Sequence, residues 1–284
     1  MGKALAISLW ALVAGVVLLF LAHGIWGAAA TWWLPPVISA HGHGYDAEFN
    51  RTLIVVAVAF VLAQCGLGYM VFRFRAAKRA SARYIQGSTR LEAAWTLITL
   101  IAFGALAILG EQLWFRYNQN VPPSASGRVD AVNAIDVEVT AKQFAWNFRY
   151  PGADGLFGRI DPNQIDDAGG NPVGIDDKDP AGKDDIVTAA LSLQVNRPVH
   201  LIFRSQDMIH SFFVPGLRFK QDLVPGMEIN GYFTPTATGR YEIACAELCG
   251  LGHYKMKAYM DVLSEQDFSA WLNGGSSGRP PVVK

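Results

Sequence analysis

The chain has 284 residues, with 24 Lys and Arg balanced by 24 Asp and Glu and only 17% charged residues, below the roughly one quarter usual in soluble domains. Its 51% hydrophobic residues and mean hydropathy of +0.20 exclude intrinsic disorder and indicate membrane segments. The zero net charge conceals two opposed halves: residues 1–116 carry nine bases and four acids (+5), and residues 117–284 carry fifteen and twenty (−5).

Three uncharged apolar runs occupy the first half, at residues 4–30, 52–72 and 93–110. Each is close to the ~20 residues that carry a helix across a bilayer core. Core helices of a soluble domain would show a polar stripe, and these runs have almost none. The pattern predicts an anchor over 1–116 with transmembrane helices at about 4–30, 52–72 and 93–113. Between the second and third runs lie Arg73, Arg75, Lys78, Arg79, Arg83 and Arg90, with no acid before Glu92. The positive-inside rule puts this loop in the cytoplasm, so the chain after Glu111 lies outside and the N-terminus, marked by Lys3, lies inside. A competing reading makes the first run a secretory signal cleaved near Gly27–Ala30, but its length exceeds the ~7–15 residues of a signal core. Cys65, inside the second run, is expected to be a packed, inert thiol.

Past residue 116 the texture changes. Residues 117–127 read as a linker, with Pro122, Pro123 and Gly127. Residues 128–272 read as an extracytoplasmic all-β domain. Alternation at Ile135, Val137 and Val139 marks one strand, and others are expected at 191–195, 200–204, 227–233, 239–245 and 258–263. The stretch 152–186 holds nine Asp against three bases. It lacks the spacing of a calcium loop and is expected to be a solvated acidic insertion. Ser264 followed by Asp267, then Phe268 and Trp271, signals a short capped helix. Residues 273–284 read as a tail.

Chemistry concentrates in Cys245-Ala-Glu247-Leu-Cys249-Gly-Leu-Gly-His253-Tyr-Lys-Met256. A disulfide is the plain reading for two cysteines outside the cytoplasm, yet a disulfide needs neither the His nor the Met that follow. Thiolates, imidazole and thioether together suit copper, whereas zinc gains little from Met. A mononuclear blue-copper site needs one Cys and two His. This loop has a Cys too many and a His too few. His210, in Asp207-Met-Ile-His210-Ser-Phe, can supply the second imidazole, and two thiolates with two imidazoles can hold a sulfur-bridged copper pair.

These residues resemble cytochrome c oxidase subunit II. So do Lys220-Gln-Asp222-Leu-Val-Pro225-Gly226 and the aromatic segment Gln143-Phe144-Ala-Trp146-Asn-Phe148-Arg-Tyr150. The resemblance implies a membrane-anchored α plus all-β chain whose soluble part is a cupredoxin-like Greek-key β-barrel holding a dinuclear copper centre, CuA. Carried over, His210, Cys245, Cys249, His253 and Met256 are side-chain ligands. Glu247 gives copper a backbone carbonyl, and its carboxylate ligates a magnesium ion shared with subunit I. The resemblance further implies an integral protein of a bacterial-type inner membrane with its copper domain on the periplasmic face. Its partners would be subunit I, other oxidase subunits and a cytochrome c donor, with no nucleic acid. The chain would pass electrons to haem a of subunit I, where oxygen reduction drives proton pumping. The family's Trp-x-Trp, where electrons come in, is here Phe144 and Trp146; Phe148 and Tyr150 read as core. Glu92 matches a glutamate at the mouth of a proton channel, and equally suits a helix end beside Arg90. Asp207 and Asp222 match positions near the cytochrome docking surface.

Other functions compatible with parts of this pattern are a quinol oxidase subunit II, a copper-binding or copper-delivering membrane protein, and the CuA subunit of a nitrogen-oxide reductase. The quinol type generally lacks the copper ligands. No Cys-x-x-Cys-His occurs, so a covalent haem c in this chain is excluded and the donor is a separate cytochrome or a haem-bearing subunit.

Overall fold

The computed structural model describes residues 2–26, 34–75, 84, 86–118 and 134–274. The expected signal cleavage site at 27–30, loop residues Lys78, Arg79 and Arg83, linker residues 119–127 and the tail from 275 lie outside the described residues. The chain divides into a helical unit (1–35 and 44–114) and a β-rich unit (36–43 and 115–284).

The helical unit contains α1 (Gly2–Trp26), α2 (Gly42–Arg73) and most of α3 (Thr89–Asn118). Two of these, α2 and α3, are long and apolar enough to cross a membrane, with mean hydropathies of 2.2 and 2.1 in their best windows. Their side chains are almost entirely uncovered by protein, as suits helices whose solvent is lipid. The apolar part of α1 among the described residues, Lys3–Leu19, is shorter than these spans. Helix α1 meets α2 where the Trp10 indole rests on Gly68: a Cβ there would lie 2.5 Å from Trp10 Nε1. Cys65 is exposed on the flank of α2 rather than packed as expected.

Among the described residues the β-rich unit holds ten strands: β1 (Ile135–Lys142), β2 (Ala145–Tyr150), β3 (Ile186–Thr188), β4 (Leu191–Gln194), β5 (Val199–Ser205), β6 (His210–Val214), β7 (Phe219–Leu223), β8 (Ile229–Phe233), β9 (Gly239–Cys245) and β10 (Lys257–Leu263). They pair as two five-stranded sheets, ordered β3-β2-β1-β5-β8 and β4-β10-β9-β6-β7. Inward residues of both sheets join one core, among them Val137, Val139, Leu201 and Phe203 of the first and Phe212, Ile243 and Met260 of the second. Strands β2, β3, β6 and β7 were not among those expected from the sequence. Helix α4 (Glu265–Leu272) follows the expected cap, Ser264 Oγ accepting from the Asp267 N–H, and buries Phe268 and Trp271.

The acidic insertion corrects an expectation. It is not simply solvated. Two short 3-10 turns, at Pro162–Gln164 and Pro180–Gly182, and two isolated bridges, Ile160 with Ile175 and Asp166 with Asn171, give it structure. Its end, β3, adds an edge to the first sheet. Arg149, fully buried on β2, donates to Glu138 Oε2 at 2.8 Å, to Asp185 Oδ2 and to the Gly158 carbonyl. The insertion therefore covers the outer face of the sheet, which is why Glu138, Thr140 and Asn147 are buried although alternation points them away from the core.

A second feature was invisible in sequence. The stretch Pro36–His43 joins the β-rich unit. Ile38 N–H donates to the Gly216 carbonyl at 2.9 Å, Thr236 N–H to the Ile38 carbonyl at 2.9 Å and Ala40 N–H to the Thr234 carbonyl at 3.0 Å. Ser39 Oγ donates to the Leu217 carbonyl at 2.6 Å. This clamp grips the turn that ends β6.

Candidate metal centre

Strand pairing assembles the site. Phe212 on β6 pairs with Cys245 at the end of β9, and Ala246 N–H donates to the Ser211 carbonyl at 2.9 Å. His210, which opens β6, is thereby set beside Cys245. The loop from Cys245 to Met256 then folds back, closed by Cys245 N–H to the Met256 carbonyl at 3.2 Å. Gly250 takes a φ of +118°, open to glycine and strained for other residues. A 3-10 turn at His253–Lys255 aims His253 inward.

The donor atoms face one another. Cys245 Sγ and Cys249 Sγ are 3.8 Å apart, far beyond a disulfide bond of about 2.05 Å. Cys245 Sγ lies 4.0 Å from His210 Nδ1. Cys249 Sγ lies 3.6 Å from His253 Nδ1 and 3.7 Å from Met256 Sδ. The Glu247 carbonyl is 3.2 Å from Cys245 Sγ. His210, Cys245 and Cys249 form a metal-competent group whose ligand atoms all lie within 4.8 Å of one another. His210, Cys249 and Met256 are buried, Cys245 nearly so, while His253 is partly exposed. Burial, reinforced by Cys245, pushes the Cys249 thiol up to about 11, so binding a cation here displaces a proton. Soft sulfurs with imidazole nitrogens fit copper and give a hard cation nothing to prefer.

The surrounding residues take different places. Asp207 accepts from His210 Nε2 at 2.8 Å, from Gln143 N–H at 2.7 Å and from its neighbour Met208 N–H at 2.7 Å. Burial opposes its charge, but these hydrogen bonds prevail and hold its carboxyl below the usual range. Its carboxylate is thus engaged at the site. Asp222 is exposed on β7 and accepts from Ser211 Oγ at 2.6 Å. The Phe144 ring is 41% exposed and covers Gly252, where a Cβ would meet it at 2.5 Å. Trp146 is buried edge-on to His210, ring centroids 6.3 Å apart. Phe148 and Tyr150 are core residues. Glu247 turns an exposed side chain outward. Glu92 lies in the first turn of α3 in the helical unit, exposed. Sequence reasoning did not single out Gln143, whose side chain donates to the Cys249 carbonyl at 2.6 Å.

Comparison with known proteins bears on the whole chain. The family described as "Cytochrome C oxidase subunit II, periplasmic domain" matches residues 175–263. The "Alternative cytochrome c oxidase subunit 2" of Bradyrhizobium diazoefficiens is 34% identical over 280 residues, covering 95% of this chain and 96% of that one. The "Cytochrome c oxidase subunit 2" of Synechocystis is 27% identical, covering 84% and 74%. Among solved structures, the periplasmic domain of subunit II of cytochrome oxidase of Bradyrhizobium japonicum is 24% identical with a TM-score of 0.37, covering 54% of this chain and 95% of that one.

Proposed function

The chain belongs to the cytochrome c oxidase subunit II family, and so is one subunit of an oxidoreductase complex; we propose that within it this chain is the electron-accepting subunit, taking electrons from cytochrome c at a dinuclear copper centre and passing them to haem a of subunit I. The observation that carries this is the pair of sulfurs 3.8 Å apart with one imidazole beside each. His210, Cys245, Cys249, His253, Met256 and the Glu247 carbonyl would hold the copper. Bound there, a copper pair supplies one-electron redox chemistry over two bridged ions. The protein's part is to hold the donors still. His210 is fixed by Asp207, Cys245 and Met256 by the loop-closing backbone bond, and His210, Cys249 and Met256 are buried from water. Fixed donors keep the reorganisation accompanying electron transfer small.

Phe144 over the ligand loop and Trp146 against His210 are proposed to offer the aromatic route inward, with Asp207 and Asp222 beside the docking surface. Glu247, whose carboxylate is free of the copper loop, is proposed to contribute one ligand to a magnesium ion completed by subunit I. Glu92 is proposed to sit at the mouth of a proton channel; unchanged oxygen consumption and proton uptake in Glu92→Gln would remove that role. The same reading gives the β-rich unit Greek-key barrel connectivity. It retains α1 as a third membrane helix with the N-terminus cytoplasmic, and places the β-rich unit on the periplasmic face.

The test is copper loading of the purified full chain, followed by metal analysis, near-infrared absorption and electron spin resonance. Two coppers per chain sharing one unpaired electron are expected. A single-copper spectrum would overturn the proposal and favour a copper-delivering protein.

A further inference from the structure

Gln143 and Phe144 form the turn between β1 and β2, outside the ligand set, yet this turn touches both segments that carry ligands. The Gln143 side-chain amide donates to the Cys249 carbonyl at 2.6 Å and lies 3.0 Å from Met208 Sδ. Its backbone N–H donates to Asp207 Oδ2 at 2.7 Å, and Asp207 Oδ1 holds His210 Nε2 at 2.8 Å. One arm thus reaches the cysteine loop, and the other reaches β6 through a carboxylate. The loop is shaped to receive the turn. A Cβ on Gly250 would meet Gln143 Nε2 at 2.7 Å, and one on Gly252 would meet the Phe144 ring at 2.5 Å.

We propose that Gln143 is a positioning residue for the metal centre, a brace that fixes the Cys249 peptide relative to His210 and so sets how firmly copper is held. The inference rests on the copper reading above and deepens it. A loop that carries four of the five side-chain ligands and has Gly250 and Gly252 at its centre has several backbone torsions free to relax. Apart from its own internal bonds and the Ala246 N–H bond to the Ser211 carbonyl at its start, it is steadied from the side by the Gln143 amide. Groups that orient ligands from behind typically change metal affinity by about 10–100-fold when removed. Gln143 acts on a ligand residue's carbonyl, so the lower end of that range is expected.

The experiment uses the detergent-solubilised full chain loaded with copper, as wild type, Gln143→Leu and Gln143→Glu. Leucine keeps bulk and removes both polar contacts; glutamate keeps shape and, ionised, turns the donor into an acceptor facing a carbonyl. Copper loss to a chelator is expected to be about tenfold faster in both variants, with an altered copper hyperfine pattern and unchanged β-sheet circular dichroism. A merely structural role would not move the hyperfine pattern of molecules that stay folded and loaded. If Gln143→Leu fails to fold, Gln143→Glu gives the reading. Wild-type release rates and spectra in a folded variant overturn the brace while leaving the copper reading intact. If the wild-type chain takes up no copper, the copper reading itself falls and the brace with it.

Discussion

At the level of single residues, the ligands were legible because five of the six lie within twelve consecutive positions, and chemistry alone excludes most metals for that set. Cys249→Ser replaces a buried soft donor with a hydroxyl that binds copper poorly. The expected outcome is loss of the paired-copper spectrum, with at most one copper retained by metal analysis. Gln143 was not legible, since its role arises from a hydrogen bond to a residue 106 positions away. Asp261 escaped notice because only the packed fold shows that it is buried. It sits on β10 with no exposed surface, both carboxylate oxygens lack hydrogen-bond partners among the described residues, and Arg240 Nε is 3.5 Å away. Burial raises its pKa, partly offset by Arg240. The folded state therefore binds this proton more tightly than the unfolded chain. Its contribution to stability is full below the ordinary carboxylate value of about 3.9 and is lost as pH rises through the raised folded value. Asp261→Asn should be more stable than wild type at neutral pH, by on the order of 1 kcal/mol, and the gap should close on acidification. Thermal unfolding of both proteins at several pH values checks this; parallel pH profiles would count against it.

At the level of elements, helices α2, α3 and α4 and six of the ten described strands could be read from periodicity and caps. The missed strands have physical explanations. Strand β6, His-Ser-Phe-Phe-Val, has no alternation, because it lies inside the sheet between β9 and β7 and buries successive residues. Strand β2 does alternate, with Trp146, Phe148 and Tyr150 facing the core, but Asn147 and Arg149 are buried as well under the insertion. That cover makes Arg149 decisive. Arg149→Met leaves Asp185 as a buried carboxylate without the Arg149 cation, while Glu138 keeps Arg204 Nη2 at 3.6 Å; stranding the buried Asp185 charge costs about 3–5 kcal/mol. Adding Glu138→Gln and Asp185→Asn should recover part of the loss, and limited proteolysis within 152–186 reports whether the insertion has come away. The Pro36–His43 clamp was hidden because its partners lie about 180 to 200 positions later and most of its bonds are backbone to backbone. Ser39→Ala removes a buried side-chain bond to Leu217, whose carbonyl also receives His41. With one partner remaining, a loss of about 1 kcal/mol is expected in unfolding of the β-rich unit.

At the level of the whole molecule, the opposed charges of the two halves have different physical roles. The basic excess belongs to the first 116 residues, and in the proposed orientation it marks a cytoplasmic loop. The acidic excess comes from the insertion, whose net charge is −6. Backbone amides donating to Asp161, Asp176 and Asp179 lower their pKa values, so this charge persists at neutral pH. Asp154, Asp166 and Asp177 are exposed. A fixed negative region of this kind accelerates encounter with a basic partner more than it tightens the final complex. Changing these three to Asn keeps the side-chain oxygens that accept from the Leu156 and Gly169 N–H groups and removes three charges. If the insertion steers a basic cytochrome, the second-order rate of cytochrome oxidation by the assembled oxidase should fall about two- to tenfold at low salt. The wild-type advantage should disappear as ionic strength rises and the screening length shrinks below about 10 Å. Turnover at saturating cytochrome should not change, since none of the three touches the metal site. A triple variant matching wild type at low salt would show that the insertion's charge faces only water, leaving its cover over Arg149 and Glu138 as its contribution to the fold.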